Sequence, residues 1–273
     1  MQFAVVKGRA REIPPLVIVA WTQGVACLAW VAFFLIAGHA FVPPGAAWPA
    51  IAASSLLVIG MSGLLARASA RGDISIVGPI LALSPIASIA PDWWLTGALP
   101  HGLGWVGVGA SVLGTLSLSR GETWSFDLRR LFAREDVLCA LGAAASLGVL
   151  SAVDRKMTTL VGVPAYLFAI YLLQVPLTTA LIGLRSPGAL ARSFEAGNAA
   201  PLTVHALFGV AGNALLLTAL MLAPAAYVNS VRRVSSVFSV VLGASLFGEP
   251  GISGRLVGAL LTVLGAACLL IAP

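Results

Sequence analysis

The sequence predicts an all-α polytopic membrane protein built as inverted five-helix repeats, with about nine complete transmembrane helices. Three observations carry this. Of the 273 residues, 59% are hydrophobic and 10% charged, with a mean hydropathy of +0.99, whereas soluble domains carry about 25% charged residues. Apolar runs of a membrane span's length recur along the whole chain. The chain also repeats itself without a gap at an offset of 151 residues.

The apolar runs number nine, at about 16–37, 47–66, 74–91, 102–119, 137–153, 164–184, 202–222, 225–247 and 255–272. Each is long enough to cross roughly 30 Å of hydrocarbon as a helix. Barrel strands would be short and alternating, so the strand reading fails. Connections are short, which leaves one integral-membrane unit and no soluble domain.

The repeat pairs Ser84-Pro85-Ile86-Ala87-Ser88 with Ser235-Ser236-Val237-Phe238-Ser239, and Gly97, Gly107 and Gly114 with Gly248, Gly258 and Gly265. Ten positions between 84 and 118 are identical to their partners, where composition alone gives about four. The pattern predicts a first repeat over 1–119, a cytoplasmic linker at 120–136 and a second repeat over 137–273. It also predicts that 60–118 and 211–269 superpose about an axis in the membrane plane. Asp154-Arg155-Lys156 stands eight residues before Pro164 at its nearest member, as Lys7 stands before Pro15. The first-half helix that should end at Lys7 is therefore expected to lack roughly 13–15 residues, a ten-helix design reduced to nine and a stub. Repeats of five, an odd number, must insert upside down relative to each other.

The net charge of +6 resides in loops rather than in a nucleic-acid patch. Lys7, Arg9, Arg11, Arg67, Arg71, Arg120, Arg129, Arg130, Arg134, Arg185, Arg192 and Arg255 fall on one side, twelve in all, against Arg155, Lys156, Arg232 and Arg233 on the other. The bias places the first set in the cytoplasm and the carboxy terminus outside. Residues 1–40 do not read as a signal peptide, since the apolar run is too long and no small-x-small cleavage site follows.

Several chemistries are excluded. Cys27, Cys139 and Cys268 lie singly in apolar runs, and His39, His101 and His205 share no ligand spacing, so no metal is expected. No GxxxxGK[ST] is present, and Gly243-Ala244-Ser245-Leu246-Phe247 misses the last glycine of a nucleophile elbow. The ten carboxylates lie mostly in loops, and no aspartate pair shares a helix face. The chain reads as a non-enzyme without cofactor. Gly254-x-x-x-Gly258 and Gly142-x-x-x-Ser146 are close-packing faces. Trp93 and Trp94 beside Asp92, and Trp48 near Pro43-Pro44, suit an interfacial aromatic belt at helix ends.

Leu83-Ser84-Pro85 followed by Gly107 and Gly114, and then Ser235 to Ser239 leading to Phe247-Gly248-Glu249-Pro250, Gly258 and Gly265, resemble EamA-type proteins of the drug/metabolite transporter superfamily. The resemblance covers nearly the whole chain in two copies and is strongest over 226–266. It implies ten helices in inverted repeats and a central cavity lined partly by the fourth and ninth spans. It also implies secondary transport or export of small metabolites, often amino acids or their relatives. Asp154-Arg155-Lys156 looks like the family's charged end of the sixth span. The chain departs from the pattern in its first span, in Ala98 where Glu249 stands in the second half, and in a loop charge bias opposite to cytoplasmic termini.

Physics selects the same two spans, since transporter sites lie where matched helices are broken or polar at membrane depth. Residues 74–91 contain Pro79, Pro85 and Pro91, which remove backbone donors and free carbonyls four residues earlier. In 225–247, Asn229, Arg233 and Ser236 share one face and Arg232, Ser235 and Ser239 the next. Three readings of Arg232 and Arg233 stay open: snorkelling to the interface, a site for an anion or carboxylate, and a structural ion pair. The expected substrate cavity comprises Ser84, Asn229, Arg232, Arg233, Ser235 and Ser236. Hinge or coupling candidates are Pro79, Pro85, Asp154 and Glu249, the last next to Pro250 with capping or proton coupling as alternatives.

The function expected is a secondary transporter of a small polar metabolite, anionic if the arginines bind it, working by alternating access in the inner (cytoplasmic) membrane. A non-transporting or degenerate membrane component, or an accessory subunit lacking the first helix, is the alternative. Expected partners are the small-molecule substrate and the lipid bilayer but not nucleic acid, with the chain a monomer or homodimer.

Overall fold

A computed structural model describes residues 15–38, 42–71, 77, 80–118, 134–185, 188, 191, 194, 196–235, 237–238 and 252–271. Among these, nine α-helices follow one another and no strand occurs: α1 (Pro15–Ala37), α2 (Trp48–Arg71), α3 (Ser84–Thr96), α4 (Leu103–Leu118), α5 (Glu135–Val161), α6 (Val163–Arg185), α7 (Ala196–Leu222), α8 (Ala225–Arg232) and α9 (Ile252–Ile271). Five stretches, Leu16–Ala37, Gly45–Leu65, Glu135–Val161, Val163–Leu184 and Asn198–Leu222, are long and apolar enough to cross a membrane. Leu103–Ser117 and Val257–Ile271 are shorter apolar helices.

The runs expected at 74–91 and 225–247 are not continuous helices. A turn at Ala82 and Leu83 precedes α3, which extends beyond the expected end to Thr96. The cause lies in Pro85, which sits in the first turn of α3 and has no N–H for an unbroken helix. In the second half, α8 stops at Arg232 and Arg233 stands in a turn. Ala82 and Arg233 are 151 residues apart, so both breaks fall at the same place in the repeat.

Two glycines punctuate the chain where a side chain would be strained. Gly97 (φ 75°) ends α3 by donating its N–H to Trp93 O at 2.8 Å, and Gly162 (φ 80°) separates α5 from α6.

The chain divides into two compact units, Met1–Ile59 with Met157–Met221 and Gly60–Lys156 with Leu222–Pro273. Each draws on both halves of the sequence. In the first unit α1 and α6 pack antiparallel: Val17 and Ala20 cluster with Ile182, Gln23 meets Gln174, and the rings of Phe34 and Phe168 are 5.5 Å apart. Trp21 Nε1 donates to Thr203 Oγ1 of α7 at 3.2 Å, and Asn213 of α7 donates to the Tyr171 hydroxyl at 2.8 Å.

In the second unit α4 and α9 form a glycine seam. A Cβ added at Gly114 would meet Gly258 O at 2.7 Å, and one added at Gly265 would meet Gly107 O at 2.8 Å. Gly114 also faces Thr262 N, as Gly265 faces Ser111 N. Each residue lies 151 positions from its counterpart, so the contacts are reciprocal, as across a local two-fold. The contact order runs in opposite directions along the two helices, and a two-fold exchanging antiparallel helices is perpendicular to them. Gln23 and Gln174 are also 151 residues apart and share a hydrogen bond of 3.1 Å in the first unit.

Candidate functional site

The second unit holds a polar interior on three helices. On α3, Ser84, Ser88 and Asp92 recur every fourth residue and are all fully buried, the spacing that stacks side chains on one face. Ser88 returns its hydroxyl proton to Pro85 O at 2.7 Å. On α8, Asn229 and Ser230 are equally buried. α5 adds Ser151, Arg155 and Lys156.

Arg233 closes the break before α3. Its Nη2 donates to Leu81 O at 2.7 Å and to Ser84 Oγ. Leu81 is four residues before Pro85, so its carbonyl is the one that lacks a helical donor. The bonds of Arg233 thus go to neutral acceptors, and no carboxylate pairs with it among the described residues. Its Nε is buried without a hydrogen-bond partner, and so is Ser230 Oγ one turn earlier. Asn229 Nδ2 donates to Ser151 Oγ at 3.0 Å.

Asp92 forms a second node, which the sequence reading passed over in favour of its neighbours Trp93 and Trp94. Both tryptophans are exposed at the end of α3, while Asp92 is 1% exposed. Its Oδ1 accepts from Arg155 Nη1 at 3.0 Å and from Thr96 Oγ1 at 2.9 Å. Its Oδ2 accepts the Ala225 N–H at 2.7 Å. Lys156 Nζ donates to Leu95 O at 2.9 Å. The available signal was an acidic residue inside an apolar stretch, where ionisable groups are costly unless paired.

The structure brings together Ser84, Arg233 and, one turn back on α8, Asn229. It leaves Arg232 and Ser235 exposed, with Ser235 Oγ donating to Arg232 O at 2.8 Å. Pro85 is buried at the start of α3. Asp154 is half-buried beside Arg155 and has partners of its own. Ser236, Pro79 and Glu249 lie outside the described residues. No group of three metal-ligating side chains occurs among the described residues.

Tyr227 fixes α8 against the loop before α4. Its hydroxyl accepts the His101 N–H at 3.3 Å, and its ring fills the space where Gly104 has no side chain. Gly148 of α5 lies against the backbone of Ala87 and Ser88, with an added Cβ only 2.7 Å from Ala87 O. That carbonyl is four residues before Pro91, so the second proline-freed acceptor of α3 is covered by close backbone approach.

Residues 1–120 match the EamA-like transporter family. The match covers the first 120 of the 273 residues. That family is described as transporters, which agrees with the five helices of this chain that are long and apolar enough to cross a membrane. A solved crystal structure shares the fold, with a TM-score of 0.75 over 99% of this chain and 93% of the other at 16% identity. No curated protein matches the chain.

Proposed function

We propose that this chain is an EamA-type secondary active transporter that moves a small polar metabolite across the cytoplasmic membrane by alternating access. One observation carries the reading: Arg233 stands at the break of a polar helix with only neutral acceptors and an unpartnered Nε. A guanidinium withdrawn from water without a counter-charge costs several kcal/mol. An anionic group on the substrate would offset that cost through charge-assisted hydrogen bonds. Ser230 Oγ and the Asn229–Ser151 pair offer neutral hydrogen bonds on the same stretch of α8.

The repeat supports the transport cycle. Reciprocal contacts at the 151-residue offset fit inverted repeats, whose exchange of conformations opens a site to one side and then the other. Breaks at Ala82 and Arg233 put irregular backbone at matched positions, where such sites are built. The excess of basic residues in the loops favours a cytoplasmic Arg129–Arg130 segment.

The test is uptake into proteoliposomes containing the purified full chain, using radiolabelled small carboxylates and amino acids. Uptake lost in Arg233→Gln and retained in Arg232→Gln is the expected result. Uptake no greater than in empty vesicles across the panel would instead favour a non-transporting membrane component. Equal uptake by both variants would remove Arg233 from the site.

A further inference from the structure

The carboxylate of Asp92 reaches three elements at once. It belongs to α3, it is gripped by Arg155 of α5, and it accepts the first N–H of α8, 133 residues away in sequence. The N-cap of α8 is Pro224, which makes no side-chain cap bond. A helix start normally takes its acceptor from a Ser, Thr, Asp or Asn at that position. Here another helix supplies it, with the negative charge at the positive end of the α8 dipole. At the opposite end stand Arg232 and Arg233, basic residues where the dipole is negative.

The direction in which the first N–H points sets the rotation of the helix about its axis. Ala225, Asn229 and Arg233 recur every fourth residue, so they form one stripe along α8. Fixing Ala225 therefore fixes the angle at which Asn229 and Arg233 face their partners. Arg155 holds the carboxylate from α5, and Thr96, which itself accepts from Arg155 at 2.8 Å, holds it from α3.

We infer that Asp92 is a positioning residue: with Arg155 behind it, it sets the rotational phase of α8 through the Ala225 N–H and so aims Asn229 and Arg233. The functional side of this inference rests on the transport site proposed above, but the geometry and its test do not.

Amide hydrogen exchange on the purified full chain in lipid nanodiscs reads the effect without any substrate. The parent, Asp92→Ala and Asp92→Asn are compared, with α4 and α9 as internal references. Asp92→Ala is expected to raise exchange across 225–232 about tenfold, as for loss of a cap and its local opening, with the references unchanged. Asp92→Asn keeps a carbonyl acceptor for Ala225 while losing the ion pair, and is expected to give a smaller rise of about threefold in the same segment. A rise spread equally over α4, α8 and α9 would show a merely structural role and overturn the assignment. So would unchanged exchange in 225–232. If Asp92→Ala does not fold, Asp92→Asn decides by the same two criteria. Failure of the uptake assay with segment-specific exchange intact would remove the transport reading and leave Asp92 as the residue that orients α8.

Discussion

Arg233 donates to the carbonyl of Leu81, the acceptor that Pro85 deprives of its helical N–H. One residue opens the helix and another, 148 positions later, satisfies what was opened. The two should therefore be coupled energetically. Arg233→Leu leaves Leu81 O and Ser84 Oγ without that donor and is expected to destabilise the protein by about 1–3 kcal/mol. Pro85→Ala restores an N–H to the Leu81 carbonyl, so Arg233→Leu should cost about 1 kcal/mol less in that background. Denaturant or thermal unfolding of the four variants in one lipid mixture gives the coupling. Strict additivity would sink the idea.

The glycine seam makes a paired prediction. Gly114→Ala and Gly265→Ala each place a methyl group against backbone of the facing helix, and backbone cannot swing aside as a side chain can. Each is expected to cost about 1–3 kcal/mol, by similar amounts because the contacts are reciprocal. Gly109→Ala on the same helix as Gly114 meets nothing within 4 Å and is expected to be neutral or stabilising by about 0.5–1 kcal/mol. Thermal unfolding measures all three. A large cost at Gly109, or a marked inequality between Gly114 and Gly265, would contradict the reciprocal packing.

Gln23 and Gln174 test a contact at the same 151-residue offset within the first unit. Both side chains are buried, and Gln23 Oε1 has no partner. Replacing one glutamine by Leu strands the other amide and should cost about 1–3 kcal/mol. Replacing both removes the need for the bond, and the double variant should be more stable than either single one. A double variant whose loss equals the sum of the two would refute the pairing.

Charge predicts the orientation. A reporter fused after Pro273 is expected to be active in its periplasmic form only, because the twelve-to-four excess of bases lies on the other side. Activity of a cytoplasmic reporter at the same position would reverse the assignment.

Much of this was legible in the chain, and the limits have physical causes. Membrane residence and the helical class follow from composition and run length. The offset in the alignment identified residues that do meet across the seam, Gly107, Gly114, Gly258 and Gly265. The prolines at 85 and 91 marked which carbonyls lose a helical donor, but not which residues would come to lie against them. Arg233 and Gly148 come from distant parts of the chain, and only tertiary packing selects them. Asp92 was overlooked because two tryptophans beside it made the region look like a helix end at the interface; α3 does end nearby, at Thr96. Nothing local shows that its carboxylate turns inward to a proline-capped helix start. The division of Arg232 from Arg233 by exposure likewise depends on which side of α8 is covered, a property of its neighbours.

The bond between Gln23 and Gln174 has a historical corollary. If each half descends from one five-helix ancestor, the ancestral position would have faced its own copy in a two-fold dimer, as residues on any isologous axis do. A single codon then governed both sides of the contact, and every change there acted twice. Such a dimer needs its two copies threaded through the bilayer in opposite directions, so the ancestor had to tolerate both insertions. Fusion would have freed the copies to diverge, and the basic loops could then fix each in one direction.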